Sequence, residues 1–135
     1  MAHDTSRPTV YPVLTYADGA RAITHLCETF GFVRGEITRD DAGRIVHATL
    51  GWPNGVVMLS ESRGDDSPFD LGPVCLYLVV DDPDAHFAHA REAGAEIVME
   101  ITDQPYGSRE YAARDPEGNV WCFGTYQPTV ALPTE

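Results

Sequence analysis

Chemistry in this 135-residue sequence must come from five His, three Cys, nine Arg and 21 Asp plus Glu, because Lys is absent. Without a lysine there is no Schiff-base enzyme, no lysine general base and no P-loop. His47 and Glu110 lie 63 residues apart. A His and a Glu suit general acid and base work if the fold brings them together. The alternative is that both are solvated, or pair with Arg44, Arg109 or Arg114. His86 and His89 stand at i, i+3 and have the spacing of a metal clip, but on an amphipathic helix they fall away from the apolar face and read as solvent-exposed. Cys27, Cys75 and Cys122 are odd in number and far apart in sequence, which excludes a dense disulfide framework and a C-x-x-C knuckle. Asp81-Asp82-Pro83-Asp84 lacks the spacing and glycine of an EF-hand, and its acids suit a helix N-terminus. No G-x-S-x-G, G-x-G-x-x-G or H-E-x-x-H occurs.

The elements that must position these groups come in two copies. Val10–Tyr16 ends at Asp18, and Val74–Val80 ends at Asp81-Asp82; both runs are rich in Val, Leu and Tyr and read as strands. A helix follows each. Asp18 caps the first, whose Ile23, Leu26, Cys27 and Phe30 form one buried face. Asp82 caps the second, with Pro83 at its first position and Phe87 and Ala90 facing inward. Gly31 and Gly94, 63 residues apart, close the two helices. Three shorter strands follow in each half: Phe32–Thr38, Arg44–Leu50 and Val56–Glu61, then Ala95–Ile101, Ser108–Arg114 and Asn119–Tyr126. Matching turns, Pro53-Asn54-Gly55 and Pro116-Glu117-Gly118, join the last two strands of each half.

The order is β-α-β-β-β, twice, with modules at about residues 10–62 and 73–127. Each module is too small for a comfortable core of its own, so residues 1–135 are expected to fold as a single domain. The fold class is α+β. A net charge of -12 and the lack of any Lys/Arg run argue against nucleic acid as a partner. Met1–Thr9 is polar and lacks the apolar core of a signal peptide, and no apolar run approaches the ~20 residues that span a bilayer. A cytoplasmic protein with reduced thiols, and no membrane partner, is the expectation. The Arg63-Gly64-Asp65 tripeptide has no use in that compartment.

This duplication resembles the vicinal oxygen chelate superfamily, also called the glyoxalase/bleomycin-resistance/dioxygenase family. The residues that carry the resemblance are Tyr16-Ala17-Asp18 leading to Phe30-Gly31-Phe32, Val80-Asp81-Asp82-Pro83-Asp84-Ala85 leading to Ala93-Gly94-Ala95, and the closing segment Tyr111-Ala112-Ala113-Arg114-Asp115-Pro116-Glu117-Gly118-Asn119-Val120-Trp121. The resemblance spans roughly Val10 to Tyr126. It implies two tandem βαβββ modules forming a curled mixed sheet around a cleft, and a homodimer.

It also implies a divalent metal site, which this sequence does not repeat. The family's first-strand ligands lie seven residues before the helix-opening aspartate, at Tyr11 and Cys75 here. Its last-strand ligands lie four residues after the turn glycine, at Leu59 and Cys122. No His or carboxylate stands among the four, so no metal or other cofactor is expected, although two thiols and a phenol suit a soft metal. By the strand period of two, Tyr11, Val13 and Thr15 share the cleft face with Cys75, Tyr77 and Val79. Val57, Leu59 and Glu61 join them, as do Val120, Cys122 and Gly124. That lining suits a small organic ligand, and Tyr11, Val13, Leu59, Cys75, Tyr77 and Cys122 are its expected contacts. Trp121 and Met58 have the opposite parity and read as core. The Tyr106–Glu110 segment is a candidate cleft rim.

The resemblance implies a metal-independent small-molecule-binding protein, similar to the bleomycin-resistance branch that sequesters a cationic drug in an acidic dimer groove. The alternative is a glyoxalase-like lyase or isomerase with a relocated metal or an acid/base site at His47, Glu110 or Glu61.

Overall fold

The computed structural model describes residues 6–64 and 66–133; Met1–Thr5 of the polar Met1–Thr9 stretch, Asp65 of the tripeptide, Thr134 and Glu135 lie outside the described residues. The first module runs β1 (Val13–Tyr16), α1 (Gly19–His25), β2 (Val33–Arg39), β3 (Ile45–Trp52) and β4 (Gly55–Glu61). The second runs β5 (Cys75–Val79), α2 (Pro83–Glu92), β6 (Glu96–Asp103), β7 (Arg109–Arg114) and β8 (Val120–Gly124). Each module is a four-stranded mixed sheet, ordered β1-β4-β3-β2 and β5-β8-β7-β6. The first strand of each pairs in parallel with the last, and the remaining pairs are antiparallel. The α+β duplication is therefore present as two separate sheets, not one closed curl.

Local chemistry explains both helices. The Asp18 side chain accepts from Arg21 N at 3.0 Å, and Asp82 accepts from Ala85 N at 3.1 Å with Pro83 behind it, so each aspartate satisfies an orphan donor of the first turn. Helix α1 widens into a π-helical turn over Leu26–Phe30 and stops at Gly31. This turn carries Leu26 and Phe30, both fully buried, into the centre of the molecule.

Both helices lie on the inner faces of their sheets, and one apolar core runs through both modules. Phe30 from the first module packs 5.0 Å from Phe123 and 6.2 Å from Trp121 of the second, ring centre to ring centre. Phe32 and Trp52 extend the same cluster. Polar links cross the boundary too. Tyr16 Oη donates to Asp115 Oδ2 at 2.6 Å, and the backbone N–H groups of Ala17 and Asp18 donate to the Glu117 carboxylate at 2.6 and 2.8 Å.

His86 corrects the expectation of an exposed side chain. It sits half-buried at the module boundary, 4.4 Å from the Phe123 ring, with Nε2 2.7 Å from the Phe30 carbonyl and Nδ1 2.5 Å from Tyr111 Oη. A carbonyl only accepts, so Nε2 carries the proton and Nδ1 accepts from the tyrosine. Burial pushes its pKa below the usual histidine value. His89 remains exposed, although its Nε2 reaches the Glu28 carbonyl at 2.9 Å. The i, i+3 pair thus ties α2 to the first module.

The twin turns differ by one residue, and this has consequences for the faces. Trp52 pairs with Gly55, leaving Pro53 and Asn54 as a two-residue turn with Asn54 at φ 52°. In the second module Asp115 N donates to the Asn119 carbonyl, so Pro116, Glu117 and Gly118 form a three-residue loop, with Gly118 at φ 94°. Strand β8 therefore lags β4 by one position relative to the turn glycine. A one-residue slip moves every side chain to the other face. Leu59 is consequently not the counterpart of Cys122; Met58 is.

Candidate functional site

The outer face of the second sheet carries a connected polar cluster. Strand β5 contributes Cys75 and Tyr77, and β8 contributes Cys122 and Gly124, with Tyr77 directly opposite Cys122. Glu110 of β7 pairs with Gly124, and Ser108 lies just ahead of that strand. Ser108 Oγ donates to Glu110 Oε2 at 2.8 Å while accepting from Tyr126 N at 3.1 Å. Tyr106 Oη donates to Glu110 Oε1 at 2.7 Å. Tyr77 Oη is 3.4 Å from Ser108 Oγ, whose one proton is already given to Glu110, so the tyrosine is the donor.

Glu110 is only 6% exposed, and no Arg is paired with it among the described residues. Exposed acids on the second module do find one: Asp84 and Asp103 both bind Arg109, and Glu96 binds Arg114. Burying a carboxylate without a cation is expensive unless hydrogen bonds compensate, and here two hydroxyls do so. The hydrogen bond to Glu110 pushes the Tyr106 phenol up to about 12, keeping it protonated as a donor. Gly124 makes room for the cluster. A Cβ there would stand 2.7 Å from Tyr77 Oη and 2.8 Å from Glu110 Cβ.

On the first sheet the corresponding face holds Val13, Thr15, Met58 and His47. Val13 is 61% exposed, and Tyr11 is exposed just ahead of the strand with its hydroxyl on the Pro8 carbonyl. His47 Nε2 lies 3.3 Å from Met58 Sδ. His47 and Glu110 do occupy matching places on their sheets, but no hydrogen bond joins them among the described residues. Met58, read as core, is on this outer face.

Leu59 and Glu61 are on the inner face. Leu59 is fully buried in the core, opposite Leu14 and Ala48. Glu61 accepts from Gly19 N at 2.7 Å and from Ile45 N at 2.8 Å, holding the start of α1 against β3. The signal that separates Leu59 from Cys122 is turn length, which the repeat conceals because both turns read Pro-x-Gly.

The four positions that the resemblance assigns to a divalent cation do not fit one. They hold a tyrosine whose hydroxyl is engaged, a core leucine and two thiols. No group of three or more His, Cys, Asp or Glu side chains is arranged to hold a metal among the described residues. Cys75 and Cys122 are close, with Sγ atoms 3.7 Å apart.

A concavity separate from this cluster runs between the modules. It has a volume of about 670 Å³ and is walled by Phe30, Trp52, Val79, Asp81, Asp82 and His86. A smaller hollow of about 270 Å³ continues from it past Trp52 and Val79 towards Val10 and Pro12. The sequence reading missed this groove, because it arises from two modules meeting and no single motif marks it. Among the described residues no helix is long and apolar enough to cross a membrane.

Comparison with known proteins places these features in context. The profile of the Glyoxalase/Bleomycin resistance protein/Dioxygenase superfamily matches residues 9–123. A Mycobacterium bovis protein, Mb0911c, is 36% identical over 126 residues, covering 87% of this chain and 82% of its own length. The crystal structure of TioX from Micromonospora sp. ML1 is similar with a TM-score of 0.77 and 32% identity, covering 89% of this chain and 99% of that one. A glyoxalase/bleomycin resistance protein from Streptomyces sp. CB03234 shares the fold at a TM-score of 0.68 and 24% identity, covering 85% and 97% of the two chains.

Proposed function

The chain belongs to the Glyoxalase/Bleomycin resistance protein/Dioxygenase superfamily, and from that premise we propose that it is a metal-independent small-molecule-binding protein. The single observation that supports this most is Glu110, a buried acid held by two hydroxyls and left without a cation. Such a group is prepared for a ligand that brings a positive charge or strong hydrogen-bond donors. Tyr77 and Tyr106 stand beside it and offer aromatic surface to an organic ligand. The net charge of -12 draws cations by long-range steering, in keeping with an antibiotic-sequestering role.

The protein works as a homodimer in this reading. Tyr11, Val13, Val33 and Tyr77 are exposed apolar side chains, and a second copy that covers the outer sheet faces completes the ligand seat. Thr15, Leu59 and Glu61 then act through structure, while Tyr11, Val13, Cys75, Tyr77 and Cys122 line the seat. The compartment is the cytoplasm, and neither nucleic acid nor a membrane is a partner.

The test is metal analysis of untagged protein, followed by thermal-shift screening against cationic antibiotics. The expected result is metal-free protein whose melting point a cationic ligand raises, with the shift lost in Glu110→Gln. A stoichiometric divalent cation, lost on changing His47 or Glu110, overturns the reading. It would favour the second one, a lyase or isomerase, which rests on the matching positions of His47 and Glu110 on their two sheets.

A further inference from the structure

The two thiols on the outer face of the second sheet line the proposed ligand seat, but the Glu110 cluster makes no hydrogen bond to either sulfur among the described residues. Cys75 opposes Val120 while Cys122 opposes Tyr77, so the cysteines are diagonal neighbours on one face of paired strands. Cys75 is exposed and Cys122 half-buried, and their Sγ atoms are 3.7 Å apart. One centre bonded to both sulfurs at about 2.3 Å spans this gap with an angle of roughly 107° at the centre. No side chain has to move far.

We propose that Cys75 and Cys122 are a chelating dithiol for a thiophilic trivalent centre, the fitting class being an organoarsenical. The donor count selects this class. A closed zinc or cadmium site needs four ligands, and no third His, Cys, Asp or Glu joins these two among the described residues. A monosubstituted trivalent arsenical needs two sulfurs and brings its third substituent with it. That substituent has Tyr77, opposite Cys122 on the same face, to lie against.

The surroundings favour chelation over single-thiol chemistry. Burial, together with the Cys75 thiol and the nearby Glu110, pushes the Cys122 thiol up to about 12. A lone thiolate is disfavoured there, whereas a chelated centre displaces both protons together. With an arsenoxide the step balances without redox change: two S–As bonds form, the arsenic–oxygen bonds break, and the oxide leaves with the two thiol protons as water. Arsenic remains trivalent throughout.

The experiment uses phenylarsine oxide on reduced, full-length protein, read by intact mass and by melting temperature. The expected result is one phenylarsenic adduct per chain, removed by a small dithiol but not by a monothiol, with a raised melting point. Cys75→Ser and Cys122→Ser should each abolish it, while Cys27→Ser should retain it. Cys75 is exposed, so its serine variant folds and guards against a misfolding explanation. An adduct that survives in Cys75→Ser, or that a monothiol removes, overturns the proposal. So does protein that takes cadmium through both cysteines yet forms no arsenical adduct. A failed antibiotic screen would leave this outcome untouched, because neither Cys75 nor Cys122 is required for the Glu110 cluster.

Discussion

Tyr16 Oη and Asp115 Oδ2 meet at 2.6 Å in the interior, joining the end of β1 to the turn that opens β8, 99 residues away. The same carboxylate accepts from Trp121 Nε1, from the Asn119 side chain, and from the backbone of Glu117 and Asn119. A single aspartate thus fixes the turn and fastens the first module to it. Burial, and then the hydrogen bond to Asp115, raises the Tyr16 pKa far above its usual value, so the phenol stays a donor. Tyr16→Phe should cost about 1.5–3 kcal/mol, the range for a hydrogen bond to a charged group. Asp115→Ala should cost more, since it orphans several buried donors at once. Urea unfolding measures both, and a single transition in each variant is expected because the core is shared.

Stability should fall as the solution is acidified below about pH 6.5. His86 and His25 both have pKa values lowered, chiefly by burial, so the folded protein holds them neutral while the unfolded chain takes up protons. The loss begins at the unfolded-state value near 6.5 and continues down to the folded value. His86 also donates through Nε2 to Phe30 and accepts through Nδ1, an arrangement that the doubly protonated ring cannot keep. His25 adds a buried Nδ1 with no partner among the described residues. Melting temperature against pH is the measurement. His86→Gln should lower the melting point at pH 8 and flatten its decline between pH 7 and 5.

Leu59→Ala should destabilise by about 2–5 kcal/mol, whereas Met58→Ala should cost much less. Leu59 is completely enclosed, and truncation leaves a cavity between Leu14 and Ala48. Met58 lies on the outer face against His47. Denaturant midpoints of the two variants report the turn-length difference directly. A larger loss in Met58→Ala than in Leu59→Ala would mean that β4 pairs in the register implied by a perfect 63-residue repeat, which turns Met58 inward and Leu59 outward.

The duplication was legible because both halves use the same punctuation. An aspartate opens each helix, a glycine closes it, and a Pro-x-Gly turn precedes the last strand. What the repeat hid is a property of pairing. Whether three turn residues stand outside the ladder, or only two, depends on which backbone groups bond across the hairpin, and Pro53-Asn54-Gly55 and Pro116-Glu117-Gly118 look alike in sequence. In the second module the strand period of two puts Cys75 and Tyr77 on one face and Cys122 and Gly124 on one face, and the pairing of β5 with β8 makes these the same face. Glu110 was visible only as the partner of His47. Its hydroxyl partners come from Tyr106 and Ser108, noted only as a rim, and no spacing rule announces that a buried acid will be held by them. His86 was misplaced for a similar reason: helical period located its face, but the neighbour covering that face belongs to the other module.

Gly124→Ala should separate the ligand seat from the fold. Backbone strain is not the issue, since Gly124 pairs regularly within β8. Space is. The added methyl would meet Tyr77 Oη at 2.7 Å and Glu110 Cβ at 2.8 Å, both closer than carbon tolerates, and Glu110 Oε2 at 3.0 Å, tighter than an ordinary contact. Tyr77 is exposed and can swing away, but the Glu110 Cβ is fixed by its strand, so β7 must shift from β8 and carry the carboxylate out of line with Ser108. The cluster then loses the hydrogen bonds that offset burial of the acid. A stability loss of about 1–3 kcal/mol is expected, with the protein still folded at 25 °C. Any ligand whose thermal shift depends on Glu110 should bind at least tenfold more weakly, a loss of about 1.4 kcal/mol. Calorimetric titration of Gly124→Ala beside Glu110→Gln checks the link. Unchanged affinity in the alanine variant would place the ligand away from this face, with the groove between the modules as the next location to probe.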